Sequence, residues 1–160
     1  MASLWKENLL LRAFALSRIP LIAYVRPKVV HVDEERVVVR VPLRRRNQNH
    51  HGSMYFGALA IGADLAAGLV AMRTIEERRK GSGHRVSFVF KDAQGEFLRR
   101  PDGDVHFTCA ENRAVRDLVD RTIATGERQE LTVPVVCTVP SKTGDEPVAR
   151  FRMTISVKRR

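Results

Sequence analysis

Nineteen consecutive residues, Met54 to Met72, carry a single charge, that of Asp64. The run MYFGALAIGADLAAGLVAM has helical length and almost no polar face, so it needs an apolar surrounding. A bilayer is the poorer host. Three glycines and six alanines make the run only mildly hydrophobic, and a carboxylate at mid-membrane costs at least ~2.5 kcal/mol. The expectation is therefore a long core helix wrapped by the rest of the chain, with no membrane span. Its small residues Gly57, Ala60, Gly68 and Ala71 let another backbone come close. The helix continues into the charged end Glu76-Glu77-Arg78-Arg79-Lys80, where cations suit the negative helix terminus, and Gly81-Ser82-Gly83 stops it.

The wrapping must come from strands. Lys28 to Val32 and Arg36 to Leu43 are Val-rich and read as a hairpin about Asp33-Glu34-Glu35. His84 to Phe90 alternates, with Val86, Phe88 and Phe90 on one face, and stays extended toward Phe97-Leu98. Val105 to Cys109 follows the turn Pro101-Asp102-Gly103-Asp104. Arg128 to Val139 and Pro147 to Val157 are long strands joined through Ser141 to Glu146. The second of them puts Phe151, Met153, Ile155 and Val157 on one face. Glu111 to Thr125 has the stripe Val115, Leu118, Val119, Thr122 and Ile123, and reads as a second helix closed by Gly126. The order predicts an α+β fold, an antiparallel sheet wrapped around a long central helix. One small sheet does not cover so apolar a helix completely, which predicts a dimer.

With 160 residues the chain has room for one domain. We divide it into an N-terminal helix and lead-in, residues 1–27, and a single domain over 28–160. In the first part, Leu4, Trp5, Asn8, Leu9, Arg12, Ala13 and Leu16 recur imperfectly at helical spacing, and Pro20 ends the segment. With an acid inside the short apolar stretch and no small-residue cleavage pattern after it, no signal peptide is expected. Cys109 and Cys137 have no CxxC partner, which suits buried side chains in a reducing cytoplasm.

The net charge of +10 favours polyanions: nucleic acid, an anionic surface or a phosphorylated small molecule. The basic clusters are Arg44 to Arg46, Arg78 to Lys80, Arg99-Arg100 and Lys158 to Arg160. Nucleic acid is not the expected partner, because the ten aromatics fall mostly on apolar faces and do not interleave with these cations.

The segment with most chemistry is Asn49-His50-His51-Gly52-Ser53-Met54-Tyr55-Phe56-Gly57, followed by Asp64. A polar, Gly-containing loop precedes a helix start, whose free backbone N–H groups can hold an anion or a developing oxyanion. In apolar surroundings the Asp64 carboxylate should titrate high, toward the range of a general base. A buried Asp hydrogen-bonded across an interface is the other reading of the same residue. His50 and His51 are adjacent and lack a third ligand at helical offset, so no metal site is expected. No GxSxG, Walker loop or GxGxxG in strand context occurs.

Asn49, Gly52, Gly57 and Asp64 stand at the spacing Asn-x-x-Gly-x-x-(His)-(Gly)-Gly with an Asp nine positions after the His site. In this the chain resembles the hotdog-fold acyl-CoA thioesterases of the phenylacetate-pathway type. From about Val37 onward, through SMYFGALAIGADLAAG, SFVFKDAQGEFLRRPDGDVHFTC and the closing strands, it also resembles a bacterial branch of hotdog proteins of unknown function. The resemblance implies a hotdog fold in a homodimer or a pair of dimers, acting on an acyl-coenzyme A or related thioester without a cofactor. Asp64 would be the general base or nucleophile, reaching across the dimer interface. Asn49 would position the thioester carbonyl or water, and the Phe56 backbone N–H would stabilise the oxyanion. Gly52, Tyr55, Gly57 and, on a looser match, Ser87 would line the substrate. Tyr55 and Phe56 replace the usual His and Gly. The N–H survives that exchange, whereas the imidazole does not. Two other classes stay open: a non-catalytic module binding acyl-CoA or a lipid-like ligand, and a basic interaction protein using the fold as scaffold.

Overall fold

The structure is a computed structural model and describes residues 4–160. Residues 1–3 of the N-terminal segment lie outside the described residues. Helix α1 (Trp5–Arg18) and the short α2 (Pro20–Val25) lead into β1 (Lys28–Val32) and β2 (Val37–Val41). A 3-10 turn (Arg45–Asn47) precedes the central helix α3 (Phe56–Ser82). Then come β3 (Val86–Phe97), β4 (Val105–Cys109), α4 (Asn112–Thr125), β5 (Gln129–Thr138), the one-turn α5 (Pro140–Thr143) and β6 (Pro147–Arg159). The strands form one six-stranded antiparallel sheet in the order β1-β2-β4-β5-β6-β3.

Strand alternation decides which face meets the helix. Val37, Val39 and Val41 of β2, Val105 and Phe107 of β4, Val133, Val135 and Cys137 of β5, and Ile155 and Val157 of β6 are all buried. Against them lies α3, through Ala58, Leu59, Ala63, Leu65, Ala66, Ala67, Val70 and Ala71. Small side chains bring the backbones together. At Gly62 an added Cβ would sit 2.3 Å from the Phe107 ring, so α3 meets β4 at a point where only glycine fits. At Gly68 the rings of Phe90 and Phe88 lie 3.4 Å and 3.5 Å from such a Cβ. Thus α3, although long and apolar enough to cross a bilayer, is the core helix that the sequence predicts.

On one side the cover is incomplete. At 100° per residue Gly57, Ala60, Ile61 and Asp64 share a face of α3; Ala60 is exposed and the other three are only half-buried. Beside that face, β3 pairs with β6 along one edge only, and its residues Lys91 to Phe97 are exposed.

The N-terminal segment folds as two helices. Helix α1 stops at Arg18, just before Pro20 as expected, and Pro20 then opens α2 at its first turn, where a missing N–H costs nothing. Of the residues that recur at helical spacing in α1, Trp5, Leu9, Ala13 and Leu16 are exposed. Leu11 and Ala15 are the buried residues, and Asn8 fixes the orientation, donating from Nδ2 to the Val29 carbonyl and accepting from the Val29 N–H through Oδ1, each at 2.9 Å. Tertiary hydrogen bonding overrides the apolar pattern.

Helix α4 is held at both ends. Asn112 Nδ2 donates to the Asp33 carbonyl at 2.9 Å, and Arg116 pairs with Glu34 of the β1–β2 turn. That turn is closed by Asp33, whose Oδ1 accepts from the N–H groups of Glu35 and Arg36 at 2.8 Å. Farther along, Asp120 takes a two-pronged bond from Arg78 of α3, 2.6 Å from Nε and 2.9 Å from Nη2. These donors hold the Asp120 carboxyl below its usual range. Asp120→Asn is expected to cost about 0.5–1 kcal/mol at pH 7, as exposed pairs do. The stability Asp120 adds is present above the unfolded carboxylate pKa and lost as pH falls through the folded one. Denaturant melts of both forms should accordingly converge in acid.

Candidate active site

Asn49 builds a loop. Its Oδ1 accepts from the N–H groups of His51 and Ser53 at 2.9 Å and 3.2 Å, while Nδ2 donates to Ser53 Oγ at 3.0 Å. The backbone closes the same turn: Asn49 N–H donates to the Ser53 carbonyl at 2.8 Å and Gly52 N–H to the Asn49 carbonyl at 3.0 Å. Gly52 sits at φ 77°, the left-handed conformation that glycine adopts without strain. Asn49 and Gly52 thus shape the loop that feeds α3, and much of the Asn49 carboxamide is engaged in doing so.

A second asparagine, Asn47, fixes where that loop begins. It is buried; Oδ1 accepts from the Arg44 N–H at 2.8 Å and Nδ2 donates to the Pro42 carbonyl at 2.9 Å. Its own carbonyl receives the Tyr55 N–H at 2.8 Å. With Tyr55 tied back, the next two N–H groups, those of Phe56 and Gly57, open α3 without an acceptor among the described residues. The free donors predicted at this helix start are therefore present, backed by a 27-residue helix dipole. Tyr55 and Phe56 stand exposed with their rings 4.7 Å apart. Gly57 leaves room for the Tyr55 ring, which lies 2.9 Å from where a Cβ would be.

Beside these aromatics runs an open groove of about 630 Å³, walled by Asn49, Ser53, Phe56 and Leu59 on one side and by Phe97, Arg99 and Arg100 on the other. The two walls are joined by the Met54 N–H to Pro101 carbonyl bond, 2.8 Å, and by Arg100 donating to the His51 carbonyl. The volume suits a small-molecule segment. Of the four basic clusters, only Arg99-Arg100 lines it. In the Arg78 to Lys80 cluster the charges pair with Asp120 and Glu76.

Asp64 lies about two turns along α3 from Phe56 and is not among the groove walls. It has no hydrogen-bond or ion-pair partner among the described residues, and burial alone pushes its pKa from 3.8 up to about 6. This is the perturbation expected of a carboxylate in apolar surroundings without a counter-ion. Ser87 is apart from the rest. Its neighbours Phe88 and Phe90 turn toward α3, so Ser87, opposite Lys158 of β6, lies on the other face of the sheet. Within one chain the structure gathers Asn49, Gly52, Tyr55, Phe56 and Gly57 at the α3 start, sets Asp64 farther along the same helix, and leaves Ser87 outside. Sequence reasoning missed Asn47, Ser53 and the Phe97 wall; the density of Asn and Ser before an uncharged run is the local signal for the first two.

A central helix of this length, embraced by an antiparallel sheet in this strand order and preceded by a polar loop, is the hotdog fold, and solved structures share it. A structural-genomics protein has 26% identity and a TM-score of 0.70, over 99% of this chain and 92% of its own. A Chlorobaculum tepidum protein of unknown function has 12% identity and a TM-score of 0.76, with 97% and 96% covered. A thioesterase from Haemophilus influenzae has 14% identity and a TM-score of 0.69, with 99% and 92% covered. The chain belongs to the family described as domain of unknown function DUF4442, whose model matches residues 7–157 and so takes in nearly all of α1. No functionally curated protein matches it.

Proposed function

We propose that this protein is a thioesterase hydrolysing an acyl-coenzyme A or related thioester as a homodimer. The observation that carries the reading is a half-buried carboxylate without a counter-ion, Asp64, on the same helix whose first two N–H groups are unfilled. The fold shared with a named thioesterase supports it. Asp64 acts as general base or nucleophile toward a thioester carbonyl whose oxygen rests on the Phe56 and Gly57 N–H groups. Asn49 holds the loop from which that site is reached. The groove takes part of the ligand, and Arg99 and Arg100 at its wall suit coenzyme A phosphates. A partner chain over the bare face of α3 places the Asp64 of one protomer near the loop of the other. A cytoplasmic setting fits the substrate.

The reading is tested by thiol release from a panel of acyl-CoA substrates; no release from any of them removes the claim. The oxyanion role has its own test. Phe56 is the first residue of α3, where proline is tolerated, and Tyr55 before it already has the extended conformation that a following proline requires, φ −65° and ψ 141°. Phe56→Pro is therefore expected to keep the melting temperature and lower kcat by about 10²–10³, the usual effect of losing one oxyanion donor. Phe56→Leu should retain activity.

A second reading rests on the engaged Asn49 carboxamide and the exposed Tyr55-Phe56 pair: a module that binds an acyl-CoA or lipid-like ligand without cleaving it. Thermal stabilisation by acyl-CoA with no thiol release selects it.

A further inference from the structure

Helix α1 buries one face and presents another. Leu11 and Ala15 are buried, and Asn8 clamps the helix to β1. On the opposite side Trp5 is 59% exposed, Leu9 58% and Leu16 65%. With Ala13 these residues follow i, i+4, i+8 and i+11, so they form one continuous outward stripe. Ile19 and Leu21 are exposed where the chain turns into α2, and extend the apolar surface. Cations border it. At 100° per residue Arg12 falls on one flank of the stripe and Lys6 on the other. Residues 4–28 hold Lys6, Arg12, Arg18, Arg26 and Lys28 against the lone acid Glu7. Arg46 packs over the Tyr24 ring at 5.3 Å, bringing the Arg44 to Arg46 cluster beside α2.

We propose that α1 and α2 form a peripheral docking surface for an anionic lipid bilayer. Trp5, Leu9, Leu16 and Leu21 enter the boundary between headgroups and acyl chains, and Lys6, Arg12, Arg26 and the Arg44 to Arg46 cluster meet lipid phosphates. An apolar stripe fringed by Lys and Arg is the pattern of helices that lie in such an interface. Spanning is excluded for α1 by its 14 residues and by the burial of its other face. Nucleic acid would leave the exposed leucines unused. A second copy docked two-fold on the stripe would bring Lys6 and Arg12 against their own counterparts, whereas a negative surface complements them.

Trp5 is the single tryptophan, so intrinsic fluorescence reports directly on the stripe. The full-length protein is mixed with phosphatidylcholine vesicles, with and without phosphatidylglycerol, and followed by Trp emission and flotation. Expected are a blue shift and co-flotation with the anionic vesicles only, weakened when salt is raised to about 0.5 M. The variant Leu9→Ser with Leu16→Ser, both on exposed positions and neutral in charge, should weaken vesicle binding by about tenfold or more while keeping the circular dichroism spectrum. The proposal is overturned by an unshifted spectrum without co-flotation, by vesicle binding that the serine variant retains in full, or by a blue shift that grows with protein concentration in the absence of lipid, which marks self-association.

Discussion

Asp64→Asn is expected to lower kcat/KM for thioester hydrolysis by about 10²–10⁴, the range over which a positioned acid or base contributes, and at the same time to stabilise the fold at neutral pH. The first effect follows from removing a carboxylate that no other charged group near the α3 start replaces. The second follows from the cause of its shift. Burial raises its pKa from 3.8 to about 6, so the folded state takes up a proton more readily than the unfolded one. The stability linked to that proton is fully present below pH 3.8 and is lost as pH rises through about 6. Above that value the wild-type protein carries a buried charge at a cost on the order of 2–3 kcal/mol. Asparagine has no charge to bury, so the variant should melt several degrees higher at pH 8 and lose the advantage by pH 4. In the wild type, kcat/KM should climb with pH about a midpoint near 6, as the carboxylate ionises. A residue whose role is purely structural would move neither the midpoint nor the rate in this way, so melting curves at two pH values and one pH–rate profile decide the matter.

The second large effect belongs to the contact between α3 and β4. Phe107 is fully buried, and its ring lies 2.3 Å from the position of a Cβ on Gly62. Phe107→Ala is expected to cost about 3–5 kcal/mol, by lost burial and the cavity left behind. Gly62→Ala should cost about 1–3 kcal/mol by overpacking, although alanine in an exposed helix would gain roughly 1 kcal/mol over glycine. The two are coupled through one space. In the Phe107→Ala background the ring is gone, so Gly62→Ala should become neutral or stabilising, recovering its helix propensity. A double-mutant cycle by urea denaturation reads this directly; additive costs would mean that the helix and strand are not in the contact described.

Much of the fold was legible because burial and periodicity agree in it. The run with the single charge of Asp64 is the core helix it predicts, Phe151, Met153, Ile155 and Val157 do share the buried face of β6, and Val115, Leu118, Val119 and Thr122 of α4 are buried. On α1, Trp5, Leu9 and Leu16 have helical spacing and face outward, whereas Asn8 and Leu11 make the contacts. Periodicity alone does not tell a stripe that faces the core from one that faces out. Gly62 was overlooked among other small residues, since one glycine's contact depends on which phenylalanine lies across from it. At the site, the loop before α3 and the isolated Asp64 were readable from residue type, and the burial of Cys109 and Cys137, which pushes their thiols up to about 11 and about 12, fits their lack of partners. The far wall of the groove was not readable, because it brings residues 97–101 against 49–59 through one backbone bond, Met54 to Pro101, and the Arg100 side chain on the His51 carbonyl.

The strand order also sets when the sheet can be finished during synthesis. Because β6 stands between β5 and β3, β3 has no strand neighbour, and β5 only its short pairing with β4, until residues 147–159 have left the ribosome. Until then Phe88 and Phe90 can gather on α3 only as loose apolar contacts, and Val133 and Val135 lie beyond the stretch of β5 that β4 pairs, with strand edges open. Pairings so distant in sequence close slowly, and open edges are where nascent chains stick to one another. Nascent chains of this protein should therefore lean on chaperones up to the emergence of β6, and the step that adds it should complete the sheet cooperatively.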